Sequence, residues 1–521
     1  MSSGAPGRAA WAILALALAA IFFWPLGVAP LFDVDEGAFA EATREMISNG
    51  DWLHTTLNGA DRFDKPILVY WLQAASLLVF GKSDAAVRLP SAICGFLWCL
   101  AVARFAWPRF GARAAWSSAA ILATSLGVIA IGRAATADAL LNLLLALTAF
   151  DLWRHVETGA KAPLRWAALW AALGILDKGP IALLVPGGAI VVWAVLSRDL
   201  KPLRRAVSDL PAWLILVGVA APWYVYALHR HGQAFIDGFV MKHNVGRFTG
   251  TLEGHAGGPL YYVIALPLIA LPWTPLFIAL LPRLKRLWQG PLTRWLLCWS
   301  GFVLVFFSLS GTKLPHYVLY GYTPLALLGG RLLADAPSRA LRIALWTTLA
   351  ITLVVLFATP WMATTVAARL SPGMYRSLVE GAAPPSTFYL ATALVAAAVL
   401  AVAALRPATA DRPAEVRTAL GAVAVALFLI AAVVPWWGET LQGPVRRLAE
   451  AARAANAGVS AGTQANVNLP SFAWYLEAPA PHRLPVAGEL GLYRFDRLTP
   501  GAADTPGTIL RQERGLALAR P

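Results

Sequence analysis

Apolar stretches of about 20 residues recur along almost the whole chain, separated by short loops that carry much of the charge. A helix needs about 20 mostly apolar residues to cross a bilayer, and only helices or closed barrels satisfy their own backbone there. Candidate spans fall near 11–31, 88–107, 114–131, 135–153, 164–177, 180–196, 210–228, 259–281, 294–310, 315–334, 341–361, 387–405 and 416–436. The pattern predicts an all-α polytopic membrane protein with about thirteen transmembrane helices. A charged fraction of 14% agrees, since soluble domains carry about 25%. Residues 11–31 have no clear small-residue cleavage site and many apolar segments follow, so this stretch reads as a first span rather than a signal peptide.

Charge bias orients the spans, because cytoplasmic loops collect Lys and Arg. Six alternate loops are basic: Arg104–Arg113, Arg154–Arg165, Arg198–Arg205, Arg283–Arg286, Arg331–Arg342, and Arg406, Arg412 and Arg417. This puts the N-terminus in the cytoplasm. It also accounts for the net charge of +15 without nucleic acid, because the cations are scattered rather than gathered in a patch. Cys94, Cys99 and Cys298 lie in apolar runs, so neither a disulfide framework nor a cysteine metal site is indicated.

The opposite face receives residues 32–87, 229–258, short turns at 132–134 and 309–316, and the tail from 437. Segment 32–87 is acidic, with Asp33, Asp35, Glu36, Glu41, Glu45, Asp51, Asp61, Asp64 and Asp84. It reads as two helices lying on the membrane, an amphipathic one over 35–49 and an apolar one over 66–80. In the tail the apolar runs end, and Phe472–Leu476 and Leu490–Phe495 look strand-like. The expected organisation is a transmembrane domain over 1–436 and a small α/β soluble domain over 437–521, on the side opposite the cytoplasm.

Charged groups in or beside spans are costly and therefore point to function. Asp33 can be spent as a helix cap, but a cap does not require the adjacent Asp35 and Glu36. Lys65 precedes a helix start, where free N–H groups and a cation suit a phosphate. Asp138 enters an apolar helix with Arg133 as a possible partner, and Asp177-Lys178-Gly179-Pro180 interrupts two spans. Outer loops add Lys242, His243, Arg247 and His255, then Lys313, His316 and Tyr317. Carboxylates and cations at one membrane face suit an enzyme that stabilises a leaving lipid phosphate. No nucleotide-binding glycine loop appears, which favours a sugar activated on a lipid carrier.

At these residues the chain resembles the aminoarabinose transferases that modify lipid A, within the protein O-mannosyltransferase-like superfamily. The resemblance rests on DEGAFAEATREMISNGDW followed by RFDKPILVYW, then LDKGPIALLVP, HNVGRF, FSLSGTKLPHYVLYGYTPLALL and NLPSFAWYLEAP. It implies a C-type glycosyltransferase fold in a bacterial inner membrane with the C-terminal domain periplasmic, and inverting transfer of a pentose or hexose from a polyprenyl-phosphate donor to an envelope acceptor, foremost lipid A or lipopolysaccharide. Asp35, Glu36 and Asp138 become the catalytic candidates. Lys65, Lys178, Arg247, Tyr317 and Lys313 become the donor-phosphate candidates. Asp64 and His255 fall where that family can place a metal ion; no cofactor is required, and a divalent metal is left open. The expected partners are the lipid-linked sugar, the acceptor and membrane lipids, with the chain itself monomeric. A protein or other glycan acceptor uses the same chemistry, and a lipid or sugar transporter is the rival from another class. Two departures bear on the substrate pocket: Gly37-Ala38-Phe39 replaces Thr-Arg-Tyr after the DE pair, and Arg62 replaces a common aromatic.

Overall fold

A computed structural model describes residues 7–251, 254–335, 337–406, 414–455, 462–498 and 506–521; Arg412 lies outside the described residues. The chain is mostly helical. Among the described residues, seven helices are long and apolar enough to cross a membrane: Asp84–Thr124, Asp138–Thr158, Leu210–His231, Pro291–Leu309, Arg339–Ala367, Thr387–Leu405 and Ala414–Leu441. Arg8–Phe23, Leu68–Phe80 and Ile181–Ser197 are apolar but shorter. Proline and glycine account for much of the difference from thirteen uniform spans. The stretch 259–281 breaks into Tyr261–Ile269 and Thr274–Ile278, with Pro272 between them. The stretch 315–334 begins as a 3-10 turn, Pro315–Gly321, before Tyr322–Ala334.

The first ten helices are α1 (Arg8–Phe23), α2 (Asp35–Asn49), α3 (Leu68–Phe80), α4 (Asp84–Thr124), α5 (Leu126–Arg133), α6 (Asp138–Thr158), α7 (Lys161–Lys178), α8 (Ile181–Ser197), α9 (Lys201–Ser208) and α10 (Leu210–His231). Helix α4 turns sharply at Gly111, whose φ of 83° suits glycine, so one long element contains two of the expected apolar stretches. Gly330 lets helix Tyr322–Ala334 close on α4: a Cβ there would strike Ser118. Small residues permit such contact between apolar helices. The core of the bundle holds Trp98, Trp116, Trp295, Trp299 and Tyr322, all fully buried. Leu214, Leu394 and Val395 stay exposed, as lipid-facing side chains do.

The tail combines helix Gly443–Ala455, helix Ser471–Leu476 and four of the six described strands. With β1 (Thr56–Leu57) and β2 (Ala60–Asp61) in the outer loop, these are β3 (Gly462–Gln464), β4 (Leu490–Arg494), β5 (Thr508–Glu513) and β6 (Leu516–Arg520), in spatial order β3-β4-β6-β5. Strand β3 runs parallel to β4 and the other pairings are antiparallel. The strand read over Phe472–Leu476 is a helix instead. All its residues are buried, and a short apolar run does not separate strand from helix by periodicity.

The tail shares a core with the outer loop: Leu448, Phe472, Trp474 and Leu518 cluster with Leu31, Ala40, Leu77 and Val87. Asp33, read as a cap for α2, serves this junction. Helix α2 has no side-chain cap, while Asp33 accepts the Ser471 backbone N–H at 2.8 Å and also its hydroxyl. Burial nevertheless pushes the Asp33 carboxyl up to about 7. The same junction explains Gly37, where an added Cβ would overlap the main chain of Ser471.

Candidate active site

Two helix ends supply the centre of the site. Helix α6 begins with Asp138, and α7 ends with Lys178 just before Gly179, whose φ is 80°. An acid at a helix N-terminus and a cation at a C-terminus both suit the helix dipole. Antiparallel packing of α6 and α7 brings these ends together. Lys178 Nζ lies 2.5 Å from Asp138 Oδ1 and donates to Tyr320 at 2.9 Å. The Tyr320 hydroxyl in turn donates to Asp138 at 3.1 Å, and His316 Nε2 lies 3.6 Å from the same carboxylate. The turn Pro315–Gly321 aligns residues three apart, so the Tyr317 and Tyr320 rings stack at 5.8 Å.

A second set of cations comes from the outer loops. Arg247 Nη1 donates to the Tyr317 hydroxyl at 3.1 Å. Lys65 bonds the carbonyl of Asp64 at 3.0 Å and feels the charges of Lys178, Arg247 and Arg62. Burial, joined by those like charges, pulls the Lys65 ammonium down to about 8 despite Asp64. Asp64 is held well below the ordinary carboxylate range. Burial opposes that, but a bond from His243 at 2.7 Å and Arg62 at 2.9 Å outweigh it. Asp35 is exposed, and among the described residues its carboxylate has no hydrogen-bond or ion-pair partner. It interacts electrostatically with Arg62 and His316. His316 also lies within electrostatic reach of Asp138, Lys178 and Lys65. Residues far apart in the chain therefore meet at one end of the bundle.

Other candidates are held elsewhere. Glu36 is buried and accepts two bonds from Arg88, both at 2.7 Å, with N–H groups of Ala135 and Phe32 at 2.7 and 2.9 Å. Arg133, read as a possible partner of Asp138, bonds the carbonyls of Ile21 and Pro25 and so closes the end of α1. The Lys313 ammonium is buried against the carbonyl of Ser310. His255 is exposed and accepts the Lys313 N–H through its own carbonyl at 3.0 Å. Asp64 meets His243 at 2.7 Å and Arg62 at 2.9 Å, and among the described residues no contact joins it to His255, so Asp64 and His255 do not come together as a pair of metal ligands.

Sequence reasoning passed over Tyr320 and Arg88. Tyr320 stands three residues after Tyr317, a spacing that only a 3-10 turn makes meaningful. Arg88 sits inside an apolar run as an intramembrane cation, which was itself a usable signal. Asp177 is buried beside Lys178 with neither oxygen bonded.

The geometry can hold an anion between Lys65, Arg247, Lys178 and Tyr317 while leaving one carboxylate, Asp35, open at the rim.

Residues 64–226 match a family model described as dolichyl-phosphate-mannose-protein mannosyltransferase. An undecaprenyl phosphate-alpha-4-amino-4-deoxy-L-arabinose arabinosyl transferase of Shewanella sediminis is 31% identical over 318 residues, 59% of this chain and 57% of that protein. One of the same name from Aeromonas hydrophila is 34% identical over 349 residues, covering 64% and 62%. Each match thus spans less than two thirds of the relative's own length. The crystal structure of ArnT from Cupriavidus metallidurans bound to undecaprenyl phosphate has the same fold, with a TM-score of 0.80, 21% identity and 98% of both chains covered. The resemblance drawn from the motifs holds.

Proposed function

We propose that this chain, aminoarabinose-transferase-like in sequence and fold, moves a sugar from a polyprenyl-phosphate donor onto an envelope acceptor, lipid A, at the periplasmic face of a bacterial inner membrane. Convergence of Lys65, Lys178, Arg247 and Tyr317 beside the open Asp35 carries this reading. The name that the relatives share supports the donor class, an undecaprenyl-phosphate sugar. About thirteen membrane passages, a cytoplasmic N-terminus, domains over 1–436 and 437–521, and a monomer complete it.

The donor phosphate lies against Lys65 and Arg247, with the Tyr317 hydroxyl as a further donor. Lys178, held by Asp138 and Tyr320, adds positive potential. Charge grows on the phosphate as the bond to the sugar carbon breaks, and these groups stabilise it more in the transition state than before it. Asp35 acts on the acceptor from the opposite side of that carbon, giving inversion. A hydroxyl acceptor needs Asp35 as base; an ionised phosphate acceptor needs it only for orientation. Glu36 is a positioning residue: through Arg88 it fixes the first turn of α2 and so the direction of Asp35. Lys313 likewise holds its own loop. No step requires a metal.

The test is transfer in one detergent compartment, with purified chain, polyprenyl-phosphate aminoarabinose and lipid A, followed by mass spectrometry. Mass gain on lipid A, lost in Asp35→Asn and Lys65→Ala, supports the reading. Gain on a glycan or peptide acceptor instead moves the acceptor but keeps the chemistry. Donor movement across a vesicle membrane without any transfer product would falsify it in favour of transport.

A further inference from the structure

Apart from the cations around Lys65 and Lys178, the outer loop builds a compact group of ligand atoms. Asn58 and Gly59, with φ of 56° and 78°, form the tight turn that suits a two-residue hairpin. The hairpin pairs Thr56 with Asp61. His54, two residues before Thr56, falls on the same face and becomes the diagonal neighbour of Asp61. His231 arrives from another element as the last residue of α10.

One ligand atom from each of His54, Asp61 and His231 lies within 4.8 Å of the others. His54 Nε2 is 3.0 Å from Asp61 Oδ1, and His231 Nδ1 is 3.7 Å from Asp61 Oδ2. Bonds of about 2.0–2.2 Å in a tetrahedron place neighbouring ligands roughly 3.3 Å apart. The two separations bracket that value. The imidazole rings lie 4.3 Å apart. Both His side chains are largely buried, while Asp61 is half exposed, which leaves an open side for entry and for a water ligand.

We propose that His54, Asp61 and His231 bind one divalent ion of the zinc type, distinct from the Asp64 and His255 positions. Two imidazoles and a carboxylate are a common zinc donor set. The ion joins the hairpin to the end of α10, where Arg230 and Asp51 already pair at 2.6 Å and the Trp223 indole bonds the Leu53 carbonyl at 3.0 Å. The hairpin continues into Arg62, whose N–H bonds Thr55 at 2.9 Å, and then into Lys65. Its role is to stiffen the segment that carries Lys65.

The test uses the full chain, purified in detergent with a tag free of histidine, stripped by chelator and equilibrated with zinc chloride alone. Elemental analysis should find about one zinc per chain, and zinc should raise the thermal midpoint. His54→Gln combined with His231→Gln loses both responses, whereas His255→Ala keeps both. Wild-type uptake no greater than that of the double variant overturns the proposal, as does loss of uptake in His255→Ala alone. If the double variant does not fold, absent zinc uptake by the wild type still overturns it, and a wild-type equivalent resistant to His255→Ala supports it. Metal content is read without substrate, so this outcome is independent of transferase activity.

Discussion

Two buried ion pairs sit close together at one end of the bundle, and they differ in what they leave over. Glu36 and Arg88 form a closed pair: both carboxylate oxygens also take backbone N–H bonds, and the guanidinium reaches the carbonyls of Leu26, Ala29 and Pro30. Three residues beyond Ala135, Asp138 pairs with Lys178, Tyr320 and His316 approach the same carboxylate, and Lys65 stands within electrostatic reach of Lys178. The first pair holds the backbone, whereas the second leaves a field that an anion can fill. A buried pair is thus a sign of function only when its surroundings remain unbalanced.

Breaking the closed pair is expected to have the largest effect. Arg88→Ala strands a buried carboxylate and should cost roughly 3–5 kcal/mol, read as loss of folded protein by fluorescence-detected size exclusion. Lys65→Ala should leave folding intact and lower kcat/KM about 100- to 1000-fold, or ~2.7–4 kcal/mol. Equal losses of folded protein in both variants would erase the distinction.

A pH profile sharpens it further. Lys65 is cationic below about 8 and loses its charge as pH rises through that value, so donor KM should climb on the alkaline side of 8. Lys65→Arg, which stays charged, should flatten that rise. The smallest effect belongs to the tail. Ser471→Ala removes one bond to Asp33 and should cost about 1 kcal/mol, measured as a small drop in the melting midpoint. The Asp33 carboxyl is raised to about 7, so its folded form favours the proton. Its contribution is full below the ordinary carboxylate range and fades as pH rises through 7. Asp33→Asn should flatten that dependence.

Much of the layout was legible in the sequence, because burying a long apolar helix demands a matching run of residues. The helix over 35–49 was legible as a helix but not as a surface one: Glu36 to Thr43 are buried without a break, because α3 and the helix Ser471–Leu476 cover it. Lys178 and Asp138 were legible as costly charges near span ends, though not as a pair. The Phe472–Leu476 element was misread because its burial comes from α2, α4 and the sheet together, a tertiary fact with no local period. Glu36 and Asp35 look alike on paper; only Arg88, 52 positions away in the chain, separates them.

By itself the sequence determined a helical chain that crosses a membrane repeatedly and collects acids and cations at the ends of its helices, since hydrophobic length and charge cost are properties of segments. Tertiary structure alone decided which of those charges cancel. Coulomb energy depends on separations of a few ångströms between groups that can lie hundreds of residues apart, as the Lys82–Glu477 pair at 3.0 Å illustrates.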